Sequence, residues 1–152
     1  MNSPYTQSLL LYAYQASAAA LVKVLGEKGH TQIRPKHGAV FANIDAKGTR
    51  ASVLAMRAGI GRPAMGELVD ELAGLGYVER MQDPVDRRAK LVVPTERALG
   101  VTQAVHEFNM ALEADYRASL GEEAYRSLRA SLTALCSRND VQPRIPPDRR
   151  QP

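Results

Sequence analysis

The sequence predicts a mainly α fold with a small β-wing, a winged helix-turn-helix domain flanked by long helices. Three observations lead there. Aromatic residues are only 5% of the chain and Trp is absent, so the core must be built from Ala, Leu and Val, a balance that favours helices. Apolar residues recur three and four apart over several stretches. Two β-type runs, Tyr77–Met81 and Leu91–Thr95, bracket the loop Gln82-Asp83-Pro84-Val85-Asp86-Arg87-Arg88-Ala89-Lys90, which predicts a hairpin with a charged, exposed tip.

The composition sets bounds. A chain of 152 residues, 45% apolar, is the size of one domain with a real core. Net charge is +4, a mild basic bias compatible with an anionic partner. The bias is local: residues 34–97 hold eleven Lys and Arg against eight Asp and Glu, whereas residues 98–138 hold four against five. A single cysteine, Cys136, excludes an internal disulfide and makes a reducing compartment the default. No apolar run is read as reaching membrane-spanning length, and the N-terminus lacks signal-peptide order. A cytoplasmic protein without membrane contact is therefore expected.

Taken in order, Tyr5 to Glu27 reads as one long helix. Leu9, Leu10, Ala13, Ala16, Ala20, Leu21 and Leu25 lie near helical spacing, and Gly26 and Gly29 end it. After the break at Ile33-Arg34-Pro35-Lys36, His37 to Ala46 reads as a short helix. Ser52 is placed to cap a helix from Val53 to Ala58. Gly59-Ile60-Gly61 is a turn. A second helix opens at Arg62-Pro63 and buries Met65, Leu68, Val69, Leu72 and Leu75. Its other face shows Arg62, Pro63, Ala64, Gly66, Glu67 and Asp70. Helix, turn, helix and charged hairpin in that order make a helix-turn-helix with a wing. Thr95 caps a further helix from Glu96 to about Ser119. Ser119-Leu120-Gly121-Glu122 reads as a capping box that opens a last helix to about Arg138. Residues 139–152, with four prolines, are expected to be a disordered tail.

The run Leu72-Ala73-Gly74-Leu75-Gly76-Tyr77-Val78-Glu79-Arg80, followed by Asp83-Pro84, Asp86-Arg87-Arg88-Ala89-Lys90 and Thr95, resembles the MarR family of bacterial transcription regulators. The likeness covers roughly residues 6 to 138. It implies a single domain over 1–138, with 5–30 and 96–138 as dimerisation helices and 34–95 as the winged helix-turn-helix. It further implies a homodimer on a pseudo-palindromic operator in double-stranded DNA, acting as a repressor and released by a small effector ligand. In the family the wing arginine of a D-x-R motif enters the minor groove and the preceding Asp orients it; here these are Arg88 and Asp86. The physics is consistent. A narrow minor groove concentrates negative potential and attracts Arg. Two residues apart on a strand, Asp86 would share a face with Arg88.

The expected DNA contacts are then Arg88, Arg87, Asp86 and Lys90 on the wing, and Arg62, Pro63, Ala64, Gly66 and Glu67 on the recognition helix. Ser52 adds a cap or phosphate donor. The plainer alternatives are a solvated hairpin tip, and an Arg62 paired with Glu67 or Asp86. Lys36, Lys47 and Arg50 read as surface charges. The family also implies an effector pocket, for which Tyr12, Tyr14, His37 and Phe41 are candidates, although each taken singly reads more readily as core packing. No catalytic constellation, cofactor motif or metal-ligand spacing stands out; His106-Glu107 has no second His at i+3 or i+4. The departure from the family is the recognition helix, where Glu67 and Asp70 oppose a lone Arg62. It keeps open a second reading, a MarR-like helical dimer with weakened or lost DNA binding that acts through protein partners.

Overall fold

The computed structural model describes residues 3–138, so the expected tail lies outside the described residues. The chain forms two compact units, one reaching to His106 and one beginning at Glu107. In chain order, α1 is Thr6–Glu27, a 3₁₀ turn spans Pro35–His37, and α2 is Gly38–Phe41. Then come β1 (Thr49–Arg50), α3 (Ala51–Ala58), α4 (Arg62–Gly74), β2 (Val78–Gln82) and β3 (Lys90–Pro94). Two more helices follow, α5 (Glu96–Leu120) and α6 (Glu122–Arg138). The fold is mainly α with a three-stranded antiparallel sheet, as expected, and β3 lies between β1 and β2.

The core of the first unit is where α4 lays its stripe. Met65, Leu68, Val69 and Leu72 are buried against Leu54 and Ala55 of α3, Val78 and Val92 of the sheet, and Ala98, Val101 and Ala104 of α5. Burial of four side chains three and four apart is what fixes the helix, since its Gly66 and Gly74 lower its intrinsic propensity. Tyr77 follows α4 directly and is fully buried, its hydroxyl 3.0 Å from His30 Nδ1 and its ring covered by Arg97 at 4.5 Å.

α1 corrects one expectation. By length and composition it is apolar enough to cross a membrane. The run is easily missed because Ala, Ser, Gln and Tyr are interspersed among its leucines, yet it carries no charge from Thr6 to Val22. Only Leu25 of this helix is buried within the chain, and Leu9, Leu11, Tyr12 and Tyr14 are exposed.

Three helix boundaries also differ from expectation, each for a local reason. The helix foreseen over His37–Ala46 is cut to one 3₁₀ turn and four α residues. Side chains there compete for the backbone: Asn43 Nδ2 donates to Ala39 O, and Thr49 Oγ1 accepts from Asp45 N at 2.9 Å. Ser52 is not a cap. The β1 ladder ends at Arg50, which itself takes the N-cap position, so Ser52 sits exposed inside the first turn of α3. Ser119 is not a cap either. Its hydroxyl donates back to Asp115 O at 2.9 Å inside α5, and Gly121, with φ +80°, makes the break. Thr95 holds as expected, with Ala98 N–H directed at its Oγ1 at 3.4 Å.

In the second unit, α6 buries Tyr125. Its hydroxyl donates to Glu113 of α5, and Arg129 bonds the same carboxylate at 2.8 Å. The guanidinium of Arg117 lies 4.7 Å from the Tyr125 ring centroid.

Candidate nucleic-acid interface

The wing is a regular ribbon, with Val78 opposite Pro94, Arg80 opposite Val92 and Gln82 opposite Lys90. β1 adds Thr49 opposite Val92 and Arg50 opposite Leu91 on the other side of β3. The close approach of the β1 turn requires Gly48: its φ is +93°, and a Cβ there would stand 2.8 Å from Val93 Cγ2. The sheet thus pins the wing to the start of α3.

The tip, residues 83–89, is organised by a buried carboxylate. Asp83 is only 6% exposed. Its Oδ1 accepts from the backbone N–H of Val85 at 2.9 Å and of Asp86 at 3.3 Å. Its Oδ2 accepts from Arg50 Nε at 2.8 Å and from a second guanidinium nitrogen at 2.6 Å. The Val85 N–H first, and then the Arg50 guanidinium, hold the Asp83 carboxyl below the usual carboxylate range. The same contact raises Arg50 above its ordinary value. Backbone bonds from Asp83 N to Ala89 O (3.0 Å) and from Ala89 N to Asp86 O (2.9 Å) close the loop.

Asp86 and Arg88 do not sit on one strand face, which corrects the expected geometry. They lie in the turned tip, before β3 begins at Lys90. Asp86 Oδ1 accepts the backbone N–H of Arg88 at 3.1 Å, and its other oxygen lies 3.4 Å from Arg50. Asp86 thus fixes the backbone of Arg88, not its guanidinium. Arg87, Arg88 and Lys90 are exposed, and among the described residues none of the three side chains is ion-paired. Val85, beside them, is 93% exposed.

On α4, helical spacing sets Pro63, Glu67 and Asp70 opposite the buried stripe, with Arg62, Ala64 and the half-buried Gly66 flanking them. Pro63 occupies the first turn, where its missing N–H costs nothing. The acidity of this helix is less than the sequence suggests. Asp70 is paired with Arg80 of β2 at 2.7 Å. Glu71 is paired with Lys36 at 2.7 Å and with buried His37 at 3.0 Å, and these two bonds hold its carboxyl below the ordinary range. Glu67 is the acid of this helix left unpaired among the described residues, and Arg62 pairs with neither Glu67 nor Asp86.

The four effector-pocket candidates are not gathered around one cavity. Tyr12 and Tyr14 are 65% and 63% exposed on α1. Phe41 packs edge-on to the Tyr77 ring at 6.0 Å. His37 is buried, accepts the Arg34 N–H at Nδ1 and faces Glu71 through Nε2. It borders a shallow open groove with Gln32, Arg34, Lys36, Asp70, Glu71 and Leu75. Among the described residues no group of three or more His, Cys, Asp or Glu is placed to hold a metal ion.

Sequence reasoning missed Arg50 and Asp83 as parts of the site. A signal for Asp83 was present, an Asp before Pro at a hairpin corner, which favours a side-chain-to-backbone turn. Nothing local in the sequence marks Arg50, whose partner lies 33 positions away.

A helix-turn-helix whose second helix shows a polar face, next to a wing with unpaired arginines, defines a winged helix-turn-helix protein. Residues 45–90 match the profile of the MarR family, the segment from the β1 turn to the wing. Structures of known regulators extend the likeness to most of the chain. CouR from Rhodococcus jostii RHA1, solved with p-coumaroyl-CoA, is 26% identical, with a TM-score of 0.63 over 84% of this chain and 88% of CouR. The transcriptional repressor CouR bound to a 23-mer DNA duplex is 22% identical, with a TM-score of 0.69 over 87% of this chain and 92% of that one. The reduced form of MarR from E. coli is 18% identical and gives a TM-score of 0.72 over 89% and 98%. Among curated proteins none matches the chain. The winged helix-turn-helix of this chain matches the MarR family model over residues 45–90, and the chain has the fold of MarR.

Proposed function

We propose that this protein is a DNA-binding transcription regulator that acts as a homodimer on a pseudo-palindromic operator and represses until a small effector releases it. The observation that carries the reading is the wing tip, where Arg87 and Arg88, with Lys90 at the start of β3, stand exposed and, among the described residues, without an ion pair, on a backbone held by Asp83 and Asp86. Cations carried on a fixed backbone cost less entropy to place in a groove than ones on a mobile loop. Arg88 enters the minor groove and Arg87 meets a phosphate. Arg62 and Glu67, with Pro63, Ala64 and Gly66 allowing close approach, face the major groove, where Glu67 can accept from cytosine N4. Ser52 is exposed in the first turn of α3 and can donate to a phosphate there. The exposed apolar residues of α1 supply a surface for a second copy. CouR offers a precedent for a ligand and for DNA in the same fold.

The experiment is selection of duplexes from a random-sequence pool by the purified protein, followed by sedimentation of the free and bound forms. Enrichment of a two-fold-related motif by a dimer supports the proposal. Failure to enrich any duplex, with the dimer intact, overturns it in favour of a dimer that acts through protein partners. That second reading draws support from unpaired Glu67 on the face that meets DNA. The pairing of Asp70 and Glu71 argues against it.

A further inference from the structure

We infer that Arg50 is a positioning residue for the wing, a latch that ties the tip to the start of the helix-turn-helix and so sets where Arg88 stands. The inference rests on the DNA-binding reading above. Arg50 is the last residue of β1 and the N-cap residue of α3, so its backbone is fixed by both elements. Its guanidinium presents two N–H groups to one oxygen of Asp83 and reaches Asp86 at 3.4 Å. Those two carboxylates are the ones that hold the tip backbone: Asp83 through Val85 and Asp86, Asp86 through Arg88. One cation anchored in the helix-turn-helix therefore neutralises both acids that shape the loop.

The geometry has two consequences. First, the tip is not an independent hairpin end, and a shift of α3 is carried to Arg88 through three side chains. Second, Arg50 cancels charge that would otherwise repel the phosphates next to Arg87 and Arg88. Lys at position 50 could offer a charge but not the forked pair of donors, so it would restore the function in part.

The test is a double-mutant cycle on a duplex enriched by the wild type, using Arg50→Ala, Arg88→Ala and the double variant. A residue that acts through Arg88 should be coupled to it. Arg50→Ala is expected to weaken binding about tenfold in the wild type but under about twofold when Arg88 is already Ala. Asp83→Asn keeps an acceptor for the Val85 and Asp86 N–H groups, and should match Arg50→Ala; Arg50→Lys should fall between. A loss that persists unchanged in the Arg88→Ala background would show that Arg50 acts on binding by a route other than Arg88, and would overturn the latch. Amide exchange on the free protein supplies the second readout. Arg50→Ala and Asp83→Asn should speed exchange at Val85 and Asp86 and leave Leu72 unchanged, whereas unchanged exchange at the tip overturns the latch. If the wild type enriches no duplex, the DNA reading fails and the exchange data still decide the latch.

Discussion

Asp86 accepts the backbone N–H of Arg88 at 3.1 Å while the guanidinium of Arg88 has no ion-pair partner among the described residues. The acid of the D-x-R motif therefore acts on the peptide plane that carries the arginine. This is a cheaper arrangement for recognition than a side-chain ion pair, because DNA need not break a salt bridge to take the guanidinium. It also separates two roles that a residue list would merge.

Asp86→Asn keeps the acceptor and should bind an enriched duplex within about twofold of wild type. Asp86→Ala removes it, freeing the turn, and should cost about 0.5–1.5 kcal/mol in binding, the scale of one hydrogen bond. Fluorescence anisotropy with both variants is the check. Equal losses for Asn and Ala would mean that the charge, through Arg50 or Arg88, matters more than the backbone bond.

Among the described residues, Glu67 is the acid on the exposed face of α4 without an ion pair. Glu67→Gln should raise affinity for arbitrary duplex by removing repulsion, and should erase the preference for cytosine at one position per half-site, about 1–3 kcal/mol of discrimination. Repeating the random-pool selection with the variant reads both effects. An unchanged motif would remove Glu67 from base recognition.

His30, three residues past the end of α1, bonds the Tyr77 hydroxyl, and burial, then the nearby Arg97, lowers its imidazole below the ordinary 6.5. The unfolded chain holds the ordinary value, so on acidification the unfolded state takes up the proton first. Stability from this site is therefore complete above pH 6.5 and declines as pH falls below it, until the folded-state value is passed. Thermal melts from pH 7.5 to pH 5 should show this fall, and His30→Gln should flatten it. An identical pH dependence in the variant would locate the acid sensitivity elsewhere.

Much of this was legible in the sequence because the signals were local. The stripe Met65, Leu68, Val69 and Leu72 announces α4 by spacing, and burial follows it. The hairpin is announced by two β-type runs around a charged loop. What was not legible depended on partners far along the chain. Arg50 reads as a surface charge until β1 pairs with β3 and brings it to Asp83. The acidity of α4 reads as repulsive until Arg80 and Lys36 neutralise Asp70 and Glu71. The misread caps have separate causes. Ser52 loses the cap position to Arg50, where β1 ends, and the Ser119 hydroxyl bonds back to Asp115 O within α5.

The central claim is that Arg88 on a fixed wing tip carries DNA binding. The most direct measurement is titration of one enriched duplex with wild type and Arg88→Ala at two salt concentrations. The account predicts a loss of about 1–3 kcal/mol for Arg88→Ala and, where the guanidinium also neutralises a phosphate, a log–log salt slope smaller by about one. Identical isotherms and slopes for the two proteins would contradict it.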